Sequence, residues 1–277
     1  MLRLLFLALC LLAAACAPDK PGVAAAISGD PKPAAKIQAE VASAPSPAPE
    51  RPSAPAEAPR AFRGELGGIT LSGVAFDSRS HRLVIADQAG GPGSTWADAK
   101  SAAGAFNGLA AVNGGFFTPE GAPLGLVISG GKRSGSINRA SSLGAGFYEG
   151  CISPSLSRRE AWTAGMGDAL QSGPFLIEKG KATRGLSDAS STARTIIGWD
   201  GGTRWFLART GTCSLASLAA ALQGASPGGV RAVSVLNLDG GRSSDLWISS
   251  RVEGGPVSER PFWNKPVRNF LVLVPRS

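Results

Sequence analysis

The sequence predicts an α+β fold: a single domain with a mixed β-sheet, two main helices and bordering β-hairpins. Three observations carry this expectation. Short apolar runs with β-branched residues recur after residue 62 and are bounded by Gly, Asp and Asn, as strands are. Two alanine-rich stretches, TWADAKSAAGAF and LASLAAALQGA, follow the capping residues Ser94 and Ser214, which is how helices begin. Residues 63–277 also suffice for one sizeable core.

Taken in order, residues 1–15 read as a signal peptide. Arg3 precedes LLFLALCLLAAA, a run too short for a permanent membrane span. The run ends in Ala13-Ala14-Ala15 before Cys16, which resembles a lipoprotein box, so Cys16 is the expected lipidation site. Simple cleavage after Ala15 is the alternative. With Ala17 following, lipidation would place the protein in the cell envelope, in the periplasm or at the outer membrane, held by its acyl chains. Residues 16–62 are dense in Pro and Ala, as in PAAKIQAEVASAPSPAPERPSAPAEAPRAF. Such a stretch supports neither helix nor sheet and buries little, so a disordered tether is expected.

The folded part, 63–277, opens with GITLSGVAF, the turn DSRSHR and LVIAD, and later has TIIGW, DGG and TRWFLA; both read as hairpins. The chain's formal net charge is +8. Five basic and five acidic tether residues cancel, so the excess lies in the domain. Such a domain favours anionic partners. Nucleic acid is not expected, because aromatics are sparse, no basic helix or strand run occurs, and the leader directs the chain to export. Once Cys10 leaves with the leader and Cys16 is lipidated, Cys151 and Cys213 remain. A Cys151–Cys213 disulfide suits an oxidising compartment; two separately buried thiols are the alternative. No Cys/His cluster is present for zinc. His81, the single histidine, stands in a turn, and no GxSxG elbow accompanies it.

Chemistry concentrates in two similar loops. SVLNLDGGRSSDLW is an apolar strand ending at Asp239, then Gly240, Gly241, Arg242, Ser243 and Ser244. LAAVNGGFF is an apolar strand ending at Asn113, then Gly114 and Gly115. The glycine pairs let backbone amides approach an anion, and both loops are expected at one cleft, at the carboxyl ends of strands as in open α/β sheets. Asp239 and Asn113 could equally cap their own turns. Two more segments join them: Gln171-Ser172-Gly173-Pro174 before FLIEKG, and Ala193-Arg194-Thr195 before IIGWDGG. Arg194 suits an anion clamp, because a guanidinium matches phosphate with paired hydrogen bonds.

In order, NGGFF, QSGPFLI, ARTIIGWDG, NLDGGRSS and NFLVLVP resemble the phosphodiester glycosidase family over roughly Gly64 to Pro275. NLDGG and ART are the specific segments; Arg242 stands where the family pattern has a third glycine. The resemblance implies an exported hydrolase that cleaves sugar from a sugar-1-phosphodiester in envelope or exopolysaccharide-type glycans. Asp239 and Arg194 would be catalytic. Asn113, Gly114, Ser172, Gly240, Gly241, Arg242, Ser243 and Ser244 would bind substrate. The phosphate leaving group lessens the need for a second carboxylate, for which Glu120, Asp188 and Asp245 stand near the loops. No cofactor is expected, since one carboxylate with amides is a thin ligand set for a divalent cation at Asp239. A non-catalytic module that binds anionic polysaccharide or cell-wall polymer is the alternative.

Overall fold

The computed structural model describes residues 55–151, 153–163 and 167–276. The leader, Cys16 and most of the tether lie outside the described residues. The first strand, Arg60–Leu66, starts inside the expected tether rather than after it.

Against the expected α+β class with a mixed sheet, the described residues form a mostly β structure. It has three sheets whose named strand pairs are all antiparallel, with two short α-helices. The first sheet runs Arg60–Leu66, Ile69–Asp77, Arg204–Thr210, Thr195–Trp199, Ser234–Asn237, Phe175–Glu178, Lys181–Ala182. The second runs Val257–Glu259, Leu246–Ile248, Ala110–Asn113, Asn269–Pro275, His81–Asp87. The third runs Lys132–Ser134, Val127–Ser129, Asp168–Ser172, Gly146–Gly150, Ser155–Arg158.

The apolar runs have a physical cause other than parallel pairing. Inner residues of all three sheets, among them Val74, Leu83, Val112, Leu170, Trp205, Leu207, Leu236 and Leu271, share one central core. The intervening residues of the first sheet, Ala75, Ile196, Phe206 and Val235, face outward onto Leu218, Ala219 and Leu222 of the Leu215–Leu222 helix. On the second sheet, Ala111, Phe270 and Val272 pack against Ala99, Ala102 and Ala103 of the Ala99–Ala105 helix. A strand buried on both faces has no polar alternation whichever way its neighbours run.

Ser214 caps the second helix as expected and forms a reciprocal capping box with Ser217. The first helix is capped by Asp98, not Ser94. The hairpin Thr195–Trp199 with Arg204–Thr210 forms. The other expected hairpin does not: Ile69–Asp77 pairs within the first sheet, while His81–Asp87 pairs with Asn269–Pro275 in the second. DSRSHR is thus a crossing between sheets. Asp77 ends its strand by accepting from the Arg79 backbone (2.8 Å) and guanidinium, which bends the chain out of register.

The expected Cys151–Cys213 disulfide is absent, and both thiols are free. Cys213 is buried under the Leu215–Leu222 helix, whereas Cys151 is exposed just after the Gly146–Gly150 strand of the third sheet. Among the described residues, no helix is long and apolar enough to cross a membrane.

Candidate functional site

The polar residues singled out at strand ends gather where the three sheets meet. Register places Asn237 beside Ile196, Phe270 beside Asn113 and Gly146 beside Ser172. Because pairing is antiparallel, the site is built from carboxyl ends (Asn113, Ser172, Asn237) and amino ends (Thr195, Asn269) together. This corrects the expectation of a cleft at carboxyl ends alone.

Asn113 is wholly buried and ties these ends to each other. Its Nδ2 donates to the Asp239 carbonyl at 2.7 Å, and its Oδ1 accepts from Thr195 Oγ1 (2.7 Å) and from the Asp245 amide (3.0 Å). The Asp239 amide donates to the Gly114 carbonyl at 3.0 Å, so the two similar loops are bonded to each other. Gly114 is required by crowding: a Cβ there would lie 2.1 Å from Asn269 Oδ1, the atom that accepts from the Gly115 amide. Neither Thr195 nor Asn269 stands among the site residues expected from sequence. Each opens an apolar strand, the mirror image of the strand-end signal that marks Asn113 and Asp239.

Asp239 projects from this frame half-buried. Burial pushes its carboxyl up to about 6, opposed by hydrogen bonds from Ser243 and from the Gly240 amide (2.9 Å). The amides expected to face an anion are thus engaged inside the loop. Gly240 donates to Asp239, and Gly241 donates to the Ala193 carbonyl at 2.8 Å. This also brings the loop against Arg194: a Cβ on Gly240 would stand 3.6 Å from Arg194 Cδ.

Arg194 is buried, with Nε donating to the Cys213 carbonyl (3.2 Å) and Nη2 to the Ser190 carbonyl (2.9 Å). Burial lowers its pKa, and none of the described carboxylates pairs with it. A guanidinium held only by neutral carbonyls keeps its attraction for an anion. Ser172, by contrast, is fully buried and donates to the Asn237 carbonyl at 2.9 Å, which makes it part of the frame. Arg242 is exposed and its Nε donates to the Trp263 carbonyl at 3.1 Å.

A second carboxylate lies on the same loop. Asp245 is buried and pushed up to about 6 by that burial, against hydrogen bonding from the Ala99 amide (2.9 Å) and the charge of Arg260. Glu120 and Asp188 are exposed, and Asp188 accepts from the Ser214 hydroxyl. Buried polar atoms without a protein partner cluster here as well: Ser244 Oγ, Asn264 Oδ1 and Asn269 Nδ2. Such atoms are costly unless water or a ligand satisfies them. Among the described residues, no three acidic, His or Cys side chains converge on a metal position.

Comparison with known proteins bears on the family and the fold. A family model described as phosphodiester glycosidase covers residues 106–274, which include Asn113, Ser172, Arg194, Asp239 and Asp245. Among solved structures, the chain is similar to the zebrafish N-acetylglucosamine-1-phosphodiester alpha-N-acetylglucosaminidase catalytic domain auto-inhibited by pro-peptide. The TM-score is 0.55 at 18% identity, covering 82% of this chain and 86% of that one. It is also similar to a hypothetical protein from Synechocystis, with TM-score 0.51 and 18% identity, over 78% of this chain and 61% of that one. No curated protein matches the chain.

Proposed function

The chain belongs to the phosphodiester glycosidase family, and from that premise we propose that it is an exported hydrolase that releases sugar from a sugar-1-phosphodiester in envelope or extracellular glycans. One observation carries the chemistry: a half-buried carboxyl pushed up to about 6 stands on the loop whose Gly240 packs beside the Cδ methylene of Arg194, a buried arginine that no described carboxylate neutralises.

In this reading Arg194 takes the phosphate group. The bond between the anomeric carbon and the phosphate oxygen breaks, and its electron pair leaves with the phosphate. Water bonds to the anomeric carbon and loses a proton to ionised Asp239. A base whose pKa lies just below neutrality is mostly ionised at working pH yet still basic enough to accept that proton. Charge that builds on the phosphate meets the guanidinium in a site of low dielectric, where the attraction is strong. Asn113 and Ser172 act by positioning the loops and do not touch substrate. Lipidation at Cys16 would hold the enzyme at the membrane through a tether.

The test is release of phosphate monoester from a synthetic sugar-1-phosphodiester. Arg194→Ala should raise KM and cost about 2–5 kcal/mol in kcat/KM. Binding of an anionic glycan with no release by the wild type would make the protein a binding module. Separately, Cys16→Ser should move the full-length protein from the membrane fraction to the soluble fraction. Unchanged fractionation would leave secretion without an anchor.

A further inference from the structure

Residues 260–265, Arg-Pro-Phe-Trp-Asn-Lys, form a loop beside the Asp239 segment. It carries the exposed large apolar side chains among the described residues: Phe262 at 97% exposure and Trp263 at 62%. Their backbone is nevertheless fixed. Arg242 Nε donates to the Trp263 carbonyl (3.1 Å), the Lys265 amide to the Arg242 carbonyl (3.1 Å), and Asn264 Nδ2 to the Ser244 carbonyl (2.7 Å). Arg260 pairs with Asp245 at 3.4 Å. Every one of these ties runs to residues 242–245, just beyond Asp239.

An indole left in water on a backbone that is hydrogen-bonded in place loses burial energy without relieving any strain, which is the mark of a binding surface. Asn264 supplies an independent sign, because its Oδ1 is buried and has no partner within the protein. Arg242 and Lys265, both exposed, flank the aromatics with positive charge.

We propose that Trp263, with Phe262 beside it, is a stacking platform for a sugar ring of the glycan chain beyond the scissile linkage, and that Arg242 is the positioning residue that holds it. The inference rests on the glycosidase reading for the identity of the chain that passes over it. The apolar C–H face of a pyranose lies flat on an indole as another ring would. The flanking cations attract a phosphate-bearing polymer. A glycine at 242 has no side chain to bond the Trp263 carbonyl, so the arginine at that position gains a purpose. Exposed aromatics with cations also suit a membrane interface. The glycan is favoured because the loop is held in register with the Asp239 segment, which insertion into lipid would not need.

The experiment uses the full chain and two probes: the methyl phosphodiester of N-acetylglucosamine 1-phosphate, and the same diester built on a chain of four N-acetylglucosamine rings. Trp263→Ala should lower the ratio of kcat/KM on the long probe to that on the short one by roughly tenfold. Trp263→Phe should recover much of that ratio, and Arg242→Gly should lower it less than Trp263→Ala. An unchanged ratio in Trp263→Ala overturns the platform. If the wild type cleaves neither probe, the glycosidase reading fails on its own. Calorimetry with the long probe then decides the platform: weaker binding by Trp263→Ala supports it and equal binding overturns it. Lost partition onto phosphatidylglycerol vesicles with an unchanged ratio would assign the loop to the membrane and overturn the platform too.

Discussion

In the loop after Ala110–Asn113 the polar residue is wholly buried, and its three side-chain hydrogen bonds all end inside the protein. In the loop after Ser234–Asn237 the carboxylate is half-buried, held by the loop's own Gly240 and Ser243, and pushed up to about 6. The sequences AAVNGG and VLNLDGG run nearly parallel, yet the polar side chain of the first is a buried tie and that of the second is a half-buried carboxyl. An amide group both donates and accepts without charge, so it can be buried as a three-way tie. A carboxylate cannot donate when ionised and resists burial. The positions also differ: Asn113 closes its strand, whereas Asp239 lies two residues past the end of Ser234–Asn237, not at the strand tip expected from sequence.

The largest test of this contrast replaces the charge. Asp239→Asn should lower kcat by about 10²–10⁴-fold, the usual range for loss of a general base, while a sugar phosphate still binds in calorimetry. The same variant should gain up to about 3 kcal/mol of folding stability at pH 7.5 and little at pH 4. Near-normal turnover would reduce Asp239 to a loop cap.

Asn113→Ala should do the reverse. It orphans the Asp239 carbonyl, the Thr195 hydroxyl and the Asp245 amide together, so a loss of about 3–5 kcal/mol is expected in urea unfolding. A loss under about 1 kcal/mol would mean that water replaces the side chain and that the tie is not structural.

The wild type should record the carboxylates directly. Asp239 and Asp245 have folded-state values near 6 against an ordinary 3.8. The fold therefore binds more protons than the unfolded chain between those values. Stability is fully present below pH 3.8 and lost as pH rises to about 6, by about 3 kcal/mol per group at most. Over the same window kcat/KM should rise as Asp239 ionises. A stability that climbs between pH 4 and 6 would contradict the burial of both groups.

The glycines separate the two loops at smaller scale. Gly114→Ala drives a Cβ to 2.1 Å from Asn269 Oδ1, whereas at Gly240 the nearest atom, the Ala193 carbonyl oxygen, is 3.0 Å away. Overpacking of about 1–3 kcal/mol is expected for Gly114→Ala and less for Gly240→Ala, read as the difference in Tm. Equal shifts would place both loops under the same constraint.

Much of the site was legible because polar residues interrupting apolar runs are rare and each had to be somewhere special. Asn113, Arg194 and Asp239 announce themselves in that way, as does the Ser214 cap. The family resemblance read from NLDGG and ART agrees with the matched family. Thr195 and Asn269 were not legible as site residues, since each acts through a partner more than 80 residues away in the chain, whereas Asp245 stood among three candidate second carboxylates that only burial separates. The amides of Gly240 and Gly241 find acceptors inside the protein, Gly240 in the side chain of its neighbour Asp239 and Gly241 in the Ala193 carbonyl just before the Thr195–Trp199 strand.

By itself the sequence determined which apolar segments form strands, where one helix is capped, and that short polar residues lie at or just beyond the strand tips, because backbone preferences and side-chain volume act locally. Which strands pair was decided only in the tertiary structure. An apolar run is equally content in a parallel or an antiparallel sheet if both faces are covered, and here the central core covers one face and a helix the other. That choice turned the expected mixed sheet into three antiparallel ones and sent Ile69–Asp77 and His81–Asp87 to different sheets. It also kept Cys151 and Cys213 as free thiols and set Asp239 deep enough for its carboxyl to resist ionisation, since desolvation depends on everything that packs around a group and not on its neighbours in the chain.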